Sequence, residues 1–215
     1  MSKVKTKLKN GTISDIAFVA SKFETKALFT DYPQYEGRER RMSSNVLSLP
    51  FFTDERTVKT IMIYGIFNRA RKGRFIDRKY VDLSDDNIVK YKVVVHKADG
   101  NGTFGDTLTN PEILGVNTGF THSFLGLGGF ESSYEAESLL KYLKTKFARA
   151  LLSVLKITQD VNADKWKYVP LQDFTPSSDI DWSKTVKDID QQLYKKYRLT
   201  EEEIAFIESH VKEMA

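Results

Sequence analysis

The chain has 215 residues, of which 40% are hydrophobic and 12% aromatic, and this composition excludes an intrinsically disordered protein. It contains no cysteine, which excludes disulfides and cysteine-based metal or nucleophile sites and fits a reducing compartment. The formal net charge is +4: residues 1–157 carry 25 Lys/Arg against 17 Asp/Glu, whereas residues 158–215 carry 8 against 12. A basic body with an acidic tail suits a polyanionic partner.

The first predicted elements along the chain are β-strands. Residues 1–11 are expected to form a basic flexible arm. No apolar run follows them, so a signal peptide is not expected. Strands are expected within residues 12–23 and 42–52. Residues 60–81 combine a β-rich run, the basic turn "NRARKG" and a second run, which predicts a β-hairpin with Gly73 near its tip.

Two more strands are predicted before the helices begin. Residues 91–96 read as a buried strand that is closed by the glycine turn at residues 99–102. Residues 121–130 are a further strand candidate, and the glycines of "FLGLGGF" lack the spacing of a dinucleotide-binding loop. No stretch of the chain approaches the ~20 apolar residues of a membrane span, so we expect a cytoplasmic protein without a membrane partner.

Helices are predicted for the rest of the chain. Residues 132–156 place leucines and other apolar residues at helical spacing, with Ser132 or the serine after it as N-cap, which predicts one long helix. A second helix is expected over residues 183–197. Thr200 and Glu203 have the capping-box spacing that begins a third.

Strands that precede helices predict an α+β fold. We expect a β-rich recognition body over residues 12–131 and a helical C-terminal part, residues 132–215, packed on that body. Residues 167–184, here called the return segment, are rich in aromatic and aliphatic side chains. The segment also contains Pro170 and Pro176, which a strand or helix interior does not tolerate.

Basic residues cluster at the predicted hairpin. Six positive charges within residues 69–79, with Asp77 the only acid, favour nucleic-acid binding. Lys and Arg on loops between strands can grip phosphates, and Arg can reach guanine edges in the major groove. The alternative is a solvated turn that keeps an edge hairpin soluble. The candidate DNA-binding residues are Arg38, Arg40, Arg41, Arg69, Arg71, Lys72, Arg74, Arg78, Lys79, Lys97 and Asn101.

No catalytic motif is recognisable, and the three histidines lie too far apart in sequence for paired metal-ligand spacing. One enzymatic alternative is a small Mg²⁺-dependent endonuclease that uses Asp54, Asp77 and Lys79. Two carboxylates and a lysine can hold Mg²⁺ and orient a water molecule. Another alternative is a protein–protein adaptor that uses the helix over residues 132–156.

Three stretches resemble a known family. "KYKVVVHKADGNGTFGD", "KWKYVPLQDF" with the following "SDIDW", and "IDQQLYKKYRLTEEEIAFIESHVKEM" resemble the C-terminal part of bacterial adenine-specific DNA methyltransferases from restriction-modification systems. The resemblance covers residues 90–215 well and residues 12–90 loosely, and it extends distantly to type I restriction specificity subunits. The second of the three stretches is the most specific.

The resemblance implies a target recognition domain that reads duplex DNA for a catalytic methyltransferase or nuclease domain or subunit. The family's catalytic core is missing here, so S-adenosylmethionine and Mg²⁺ would belong to that partner and no cofactor is expected in this chain. It also implies that the return segment is structural and is held between the long helix and the β-rich body. The residues expected to hold it are Trp166, Tyr168, Val169, Leu171, Phe174 and Trp182.

Overall fold

The computed structural model describes residues 11–84, 88–100 and 102–214, so the expected basic arm lies outside the described residues up to residue 10. The predicted α+β class is confirmed, because two four-stranded sheets are followed by helices. The strands are β1 (Ala17–Phe18), β2 (Phe52–Thr53), β3 (Thr60–Phe67), β4 (Ala70–Asp77), β5 (Tyr91–His96), β6 (Glu112–Leu114), β7 (Thr118–Phe120) and β8 (Phe124–Phe130). The α-helices are α1 (Thr25–Asp31), α2 (Ser133–Lys144), α3 (Lys146–Ser153), α4 (Val186–Tyr197) and α5 (Glu201–His210).

The first sheet has the order β1–β8–β5–β6 and is antiparallel throughout. Its strand β5 reads as a continuous apolar run because both of its faces are covered. Val93 and Val95 belong to the core under the helices, whereas Val94 belongs to the core between the two sheets. Successive side chains of a strand point to opposite faces, so an uninterrupted run suits a strand that is buried twice.

The second sheet has the order β2–β4–β3–β7, in which β7 runs parallel to β3 and the other pairs are antiparallel. The predicted hairpin is confirmed as β3 and β4. The expectation that Gly73 lies near its tip is wrong, because Gly73 pairs with Tyr64 in the middle of the strands. A Cβ atom there would collide with the sulfur of Met62, so close packing explains this glycine.

Two expected strands in the N-terminal region are wrong for most of their length. Residues 42–52 form a 3₁₀ turn, Val46–Ser48, and only the last of them enters β2. Met42 and Leu47 are fully buried with the apolar side of the hairpin. Residues 12–23 likewise contribute only β1, after the 3₁₀ turn Ile13–Ile16. In both stretches the apolar residues fill a core without extending the sheet.

The single long helix expected over residues 132–156 is interrupted at Thr145, which ends α2 and is the N-cap of α3. The Thr145 Oγ1 accepts from the Ala148 amide at 3.1 Å. The buried Asp190 carboxylate, on α4, accepts from the amides of Lys146 (3.0 Å) and Phe147 (2.9 Å). These acceptors satisfy the amides that a helix start leaves free. Burial raises the pKa of Asp190 to about 6.

The return segment, together with Trp166 directly before it, is buried as expected at the main aromatic positions. Trp166 and Trp182 are 0% and 2% exposed, and Phe174 packs against Tyr142 of α2. The Tyr142 hydroxyl donates to the Pro170 carbonyl at 2.8 Å. Tyr168 and Leu171, two others of the expected set, are only partly buried. The segment therefore packs against α2 as a structural element.

The C-terminal helices agree more closely with the bounds expected from the sequence. α4 begins at Val186, three residues later than expected, and its N-cap is Thr185. The predicted capping box of α5 is confirmed, with Thr200 as N-cap and Glu203 as its partner. Among the described residues, no helix is both long and apolar enough to cross a membrane.

Candidate nucleic-acid interface

The tip of the β3–β4 hairpin is the turn formed by Asn68 and Arg69, which joins Phe67 to Ala70. Both turn residues have positive φ angles, 49° and 63°, as the two central residues of a type I′ turn require. Glycine is preferred at the second position, and a larger residue there costs of order 1 kcal/mol. Arg69 is exposed and has no hydrogen bond or ion pair with any described residue. The turn thus presents a free cation despite this strain.

Arg71 joins the hairpin to the first sheet. Its guanidinium donates to the Thr109 carbonyl at 2.7 Å, to the Asn110 carbonyl and to the Glu112 carboxylate at 2.9 Å. The same group lies 5.6 Å from the centre of the Phe124 ring, and the side chain is 21% exposed. Because it already has three acceptors, the Arg71 guanidinium is a structural contact between the two sheets.

Arg74 has a similar role on the other face of β4. Its guanidinium donates to the Leu47 carbonyl, to the Phe52 carbonyl at 2.7 Å and to the Asp54 carboxylate at 3.2 Å. The side chain is 14% exposed. Lys72, on the same face, is 43% exposed and lies 2.9 Å from the same Asp54 carboxylate. Arg74 therefore holds the N-terminal segment on the hairpin, whereas the Lys72 amine reaches solvent.

The base of the hairpin carries two more predicted cations. The Lys79 amine lies 2.6 Å from the Asp31 carboxylate, which also accepts from the Tyr80 hydroxyl at 2.7 Å. These two hydrogen bonds lower the pKa of the Asp31 carboxyl. Arg78 is exposed and donates to the Asn117 side chain at 3.2 Å. Both cations remain accessible at this end of the sheet.

Arg38 and Arg40 lie outside the hairpin. The Arg38 guanidinium is 5.6 Å from the centre of the Tyr35 ring. The Arg40 guanidinium lies 2.8 Å from the Asp82 carboxylate, although the side chain is 56% exposed. Each side chain is thus held by one neighbour and retains contact with solvent.

The segment that follows the glycine turn after β5 lies against the helical part of the protein. The Gly105 amide donates to Ser153 Oγ at 2.9 Å, and its carbonyl accepts from the Lys212 amide at 3.0 Å. The Lys212 amine also lies 2.7 Å from the Asp106 carboxylate. Asn101, the predicted base-reading residue of this turn, lies outside the described residues.

Arg41, Lys97 and His122 come together at the junction of the two sheets. His122 lies in the link between β7 and β8, where the chain passes from one sheet to the other. The His122 amide donates to the Met42 carbonyl at 2.9 Å, which brings the neighbouring Arg41 close. The Lys97 amide donates to the Ser123 carbonyl at 3.0 Å. The Lys97 amine then lies 2.6 Å from His122 Nδ1.

This junction has more positive than negative charge. Burial, followed by the positive charge of Arg41, lowers the pKa of Lys97. Burial, then Lys97 and Arg41, lowers the pKa of His122. The Arg41 guanidinium lies 2.9 Å from the Glu39 carboxylate, yet its Nε atom is buried without a hydrogen-bond partner among the described residues. Sequence reasoning proposed Arg41 and Lys97 but missed His122, because only tertiary pairing brings the three together.

The residues of the nuclease alternative do not converge. Asp54 follows Thr53 and Asp77 follows Ile76, so the two aspartates lie beyond opposite ends of the β2–β4 pairing. The Asp77 carboxylate accepts from the Lys79 amide at 3.0 Å and begins a 3₁₀ turn. In the parts of the chain that the structure describes, no group of three or more His, Cys, Asp or Glu side chains could hold a metal ion.

The apolar stripe of the adaptor alternative faces inward. Leu139 and Leu143 of α2 are fully buried, and Phe147 of α3 is 1% exposed. All three belong to the core that the helices share with the first sheet. The stripe therefore contributes to the fold of this chain.

No protein-family model, curated protein or solved structure matches this chain at a significant level. Its function is therefore inferred from the contacts, burial and charge of its own residues.

Proposed function

We propose that this chain is the target recognition domain of a bacterial restriction-modification system. It binds duplex DNA for a methyltransferase or endonuclease that supplies the chemistry. The observation that carries the proposal is Arg69, an exposed and unpaired cation in a left-handed turn. Glycine would give a more stable turn, and strain of this kind is concentrated at functional sites.

The hairpin has the shape that such a role requires. β3 pairs with β7 as far as Tyr64 and β4 pairs with β2 from Phe75 onward, so the part of the hairpin beyond both neighbours, residues 65–67 with residues 70–72, is a two-stranded ribbon of about 10 Å. The major groove of B-DNA is ~12 Å wide and admits a two-stranded ribbon. Arg69 at its end could then contact phosphates or guanine edges.

The predicted cations divide into two groups by their contacts. Arg71 and Arg74 are held by carbonyl and carboxylate oxygens, and they fix the hairpin in place. The hairpin cations that remain accessible for a partner are Arg69, Lys72, Arg78 and Lys79. The DNA-contacting set is therefore narrower than charge clustering in the sequence suggests.

A matched pair of variants tests the proposal. Arg198 also has a left-handed conformation, with φ 54°, and is exposed at the end of α4. Arg69→Gly and Arg198→Gly each remove one positive charge and relieve one strained residue. Binding of a labelled duplex is measured by fluorescence anisotropy across a salt series. For the wild type we expect about three to five phosphate contacts. Each contributes about −0.9 to the slope of log affinity against log salt concentration, so this slope should be roughly −3 to −5.

Only Arg69→Gly is expected to weaken binding. If Arg69 contacts a phosphate, the slope should become shallower by about 0.9. If it reads a base, the cognate site alone should lose ~1–3 kcal/mol. Equal binding by the two variants, or an absence of wild-type binding at ~50 mM salt, would contradict the proposal. Loss of binding in Arg69→Gly cannot be explained by unfolding, because glycine stabilises the turn.

A further inference from the structure

The junction of Arg41, Lys97 and His122 has an incomplete set of polar contacts. Arg41 Nε is buried and has no acceptor in the described parts of the chain, whereas buried donors in folded proteins nearly always have one. The Lys97 amine is 2.6 Å from His122 Nδ1, so an ammonium at Lys97 donates to a neutral imidazole. One of its three N–H groups is used in this contact.

The charges at the junction also lack compensation. The charged groups that influence His122 are Lys97, Arg41 and Glu39, which come from two separate parts of the chain. Glu39 is the only carboxylate among them, and its side chain is 58% exposed. Two cations and an ionisable imidazole therefore face one another with a single solvated anion, and this arrangement is unfavourable without a further negative ligand.

We infer that Arg41, Lys97 and His122 form a binding site for a phosphate group. The inference rests on the proposed function for the source of that phosphate, a backbone phosphodiester of duplex DNA. A phosphate can accept from the exposed part of the Arg41 side chain, which is 39% exposed as a whole, and from the N–H groups that Lys97 leaves unused, and charge-assisted hydrogen bonds from Arg and Lys to phosphate are strong. The site lies where the two sheets meet, and the hairpin belongs to one of those sheets, so one duplex could contact both.

The test uses variants that separate the donor from its charge. Arg41→Lys keeps the charge and removes the planar guanidinium with its forked set of donors. Lys97→Gln removes the amine. Arg198→Lys is the matched control, since it makes the same exchange at an exposed position in the acidic helical part. The imidazole resonances of His122 are followed by NMR during titration with inorganic phosphate and, separately, with a short duplex.

We expect the duplex to shift the His122 resonances and to raise its midpoint of titration in the wild type and in Arg198→Lys. Arg41→Lys and Lys97→Gln should bind the duplex roughly tenfold more weakly. Both should keep or raise the wild-type melting temperature in phosphate-free buffer, because they relieve an unpaired donor or a like charge. A purely structural role for Lys97 predicts a lower melting temperature and unchanged affinity, which would overturn the inference.

The two titrations separate this inference from the proposed function. A His122 response to inorganic phosphate without a response to duplex would support the phosphate site and overturn DNA as its source. An absence of response to both ligands would overturn the site, even if Arg69→Gly behaves as expected. A response to the duplex that persists unchanged in Arg41→Lys would also overturn it.

Discussion

Two buried tryptophans offer a direct test of how the helical part is held together. Trp166 and Trp182 are 0% and 2% exposed and belong to the same core. The indole N–H of Trp182 donates to the Asp173 carbonyl at 2.8 Å, whereas the indole N–H of Trp166 has no acceptor in the part of the chain that the structure describes. Replacement by Phe removes a similar volume at both positions. It removes a hydrogen-bonded N–H at Trp182 and an unsatisfied N–H at Trp166.

The two substitutions should therefore have unequal effects on stability. Trp→Phe removes roughly 40 Å² of buried surface in either case, about 1 kcal/mol at 25 cal/mol per Å². Trp182→Phe also loses a hydrogen bond and leaves the Asp173 carbonyl unpaired, for a total of about 2–4 kcal/mol. Trp166→Phe removes an unpaired buried N–H, which offsets ~1–3 kcal/mol of the loss. We expect Trp166→Phe to be close to neutral.

Urea unfolding monitored by far-UV circular dichroism measures both free energies of unfolding, since tryptophan fluorescence would change with the substitution itself. Trp166→Ala and Trp182→Ala serve as controls, and each should cost ~3–5 kcal/mol because each leaves a cavity. If Trp166→Phe proves as destabilising as Trp182→Phe, the unpaired indole does not weaken the fold as reasoned. If an alanine variant keeps its stability but loses DNA binding, that tryptophan belongs to a recognition surface.

Three other predictions follow from the same contacts. Arg71→Ala and Arg74→Ala should each lower the free energy of unfolding by about 2–3 kcal/mol, since each leaves carbonyl oxygens without a donor, and Arg69→Gly should not lower it. Asp77→Ala should cost ~1 kcal/mol as the loss of a cap and leave duplex binding intact; Mg²⁺-dependent plasmid cleavage that disappears in this variant would favour the nuclease alternative. The raised pKa of Asp190, about 6, means that its favourable contribution exists below pH ~4 and is lost as the pH rises through 6. Asp190→Asn should therefore gain roughly 2–3 kcal/mol relative to the wild type between pH 4 and 7, and a pH-independent difference would contradict this.

Local signals in the sequence predicted the elements whose causes are local. The N-cap at Ser132 and the capping box at Thr200 depend on residues within one helical turn, and both are present. The break between α2 and α3 was not predictable in this way. Asp190, whose carboxylate accepts from the first amides of α3, lies more than 40 residues further along the chain.

The candidate site shows the same division. The clustering of Arg and Lys around the hairpin was visible in the sequence, but the partners of each cation were not. Whether an arginine is free, as Arg69 is, or bound to carbonyl oxygens, as Arg71 is, depends on loops that are distant in sequence. His122 lies beside Arg41 and Lys97 because the link between β7 and β8 makes backbone hydrogen bonds with both regions. The His122 amide donates to the Met42 carbonyl, and the Lys97 amide donates to the Ser123 carbonyl.

Arg71 and Arg74 hold β4 from its two faces, one towards the first sheet and the other towards the N-terminal segment. The ribbon that ends at Arg69 is therefore rigid before any ligand arrives. A preorganised ribbon loses little conformational entropy on association, so more of its contact energy is available as affinity. Loosening it at either arginine should slow productive docking and shorten the lifetime of the complex, even though neither guanidinium touches the ligand.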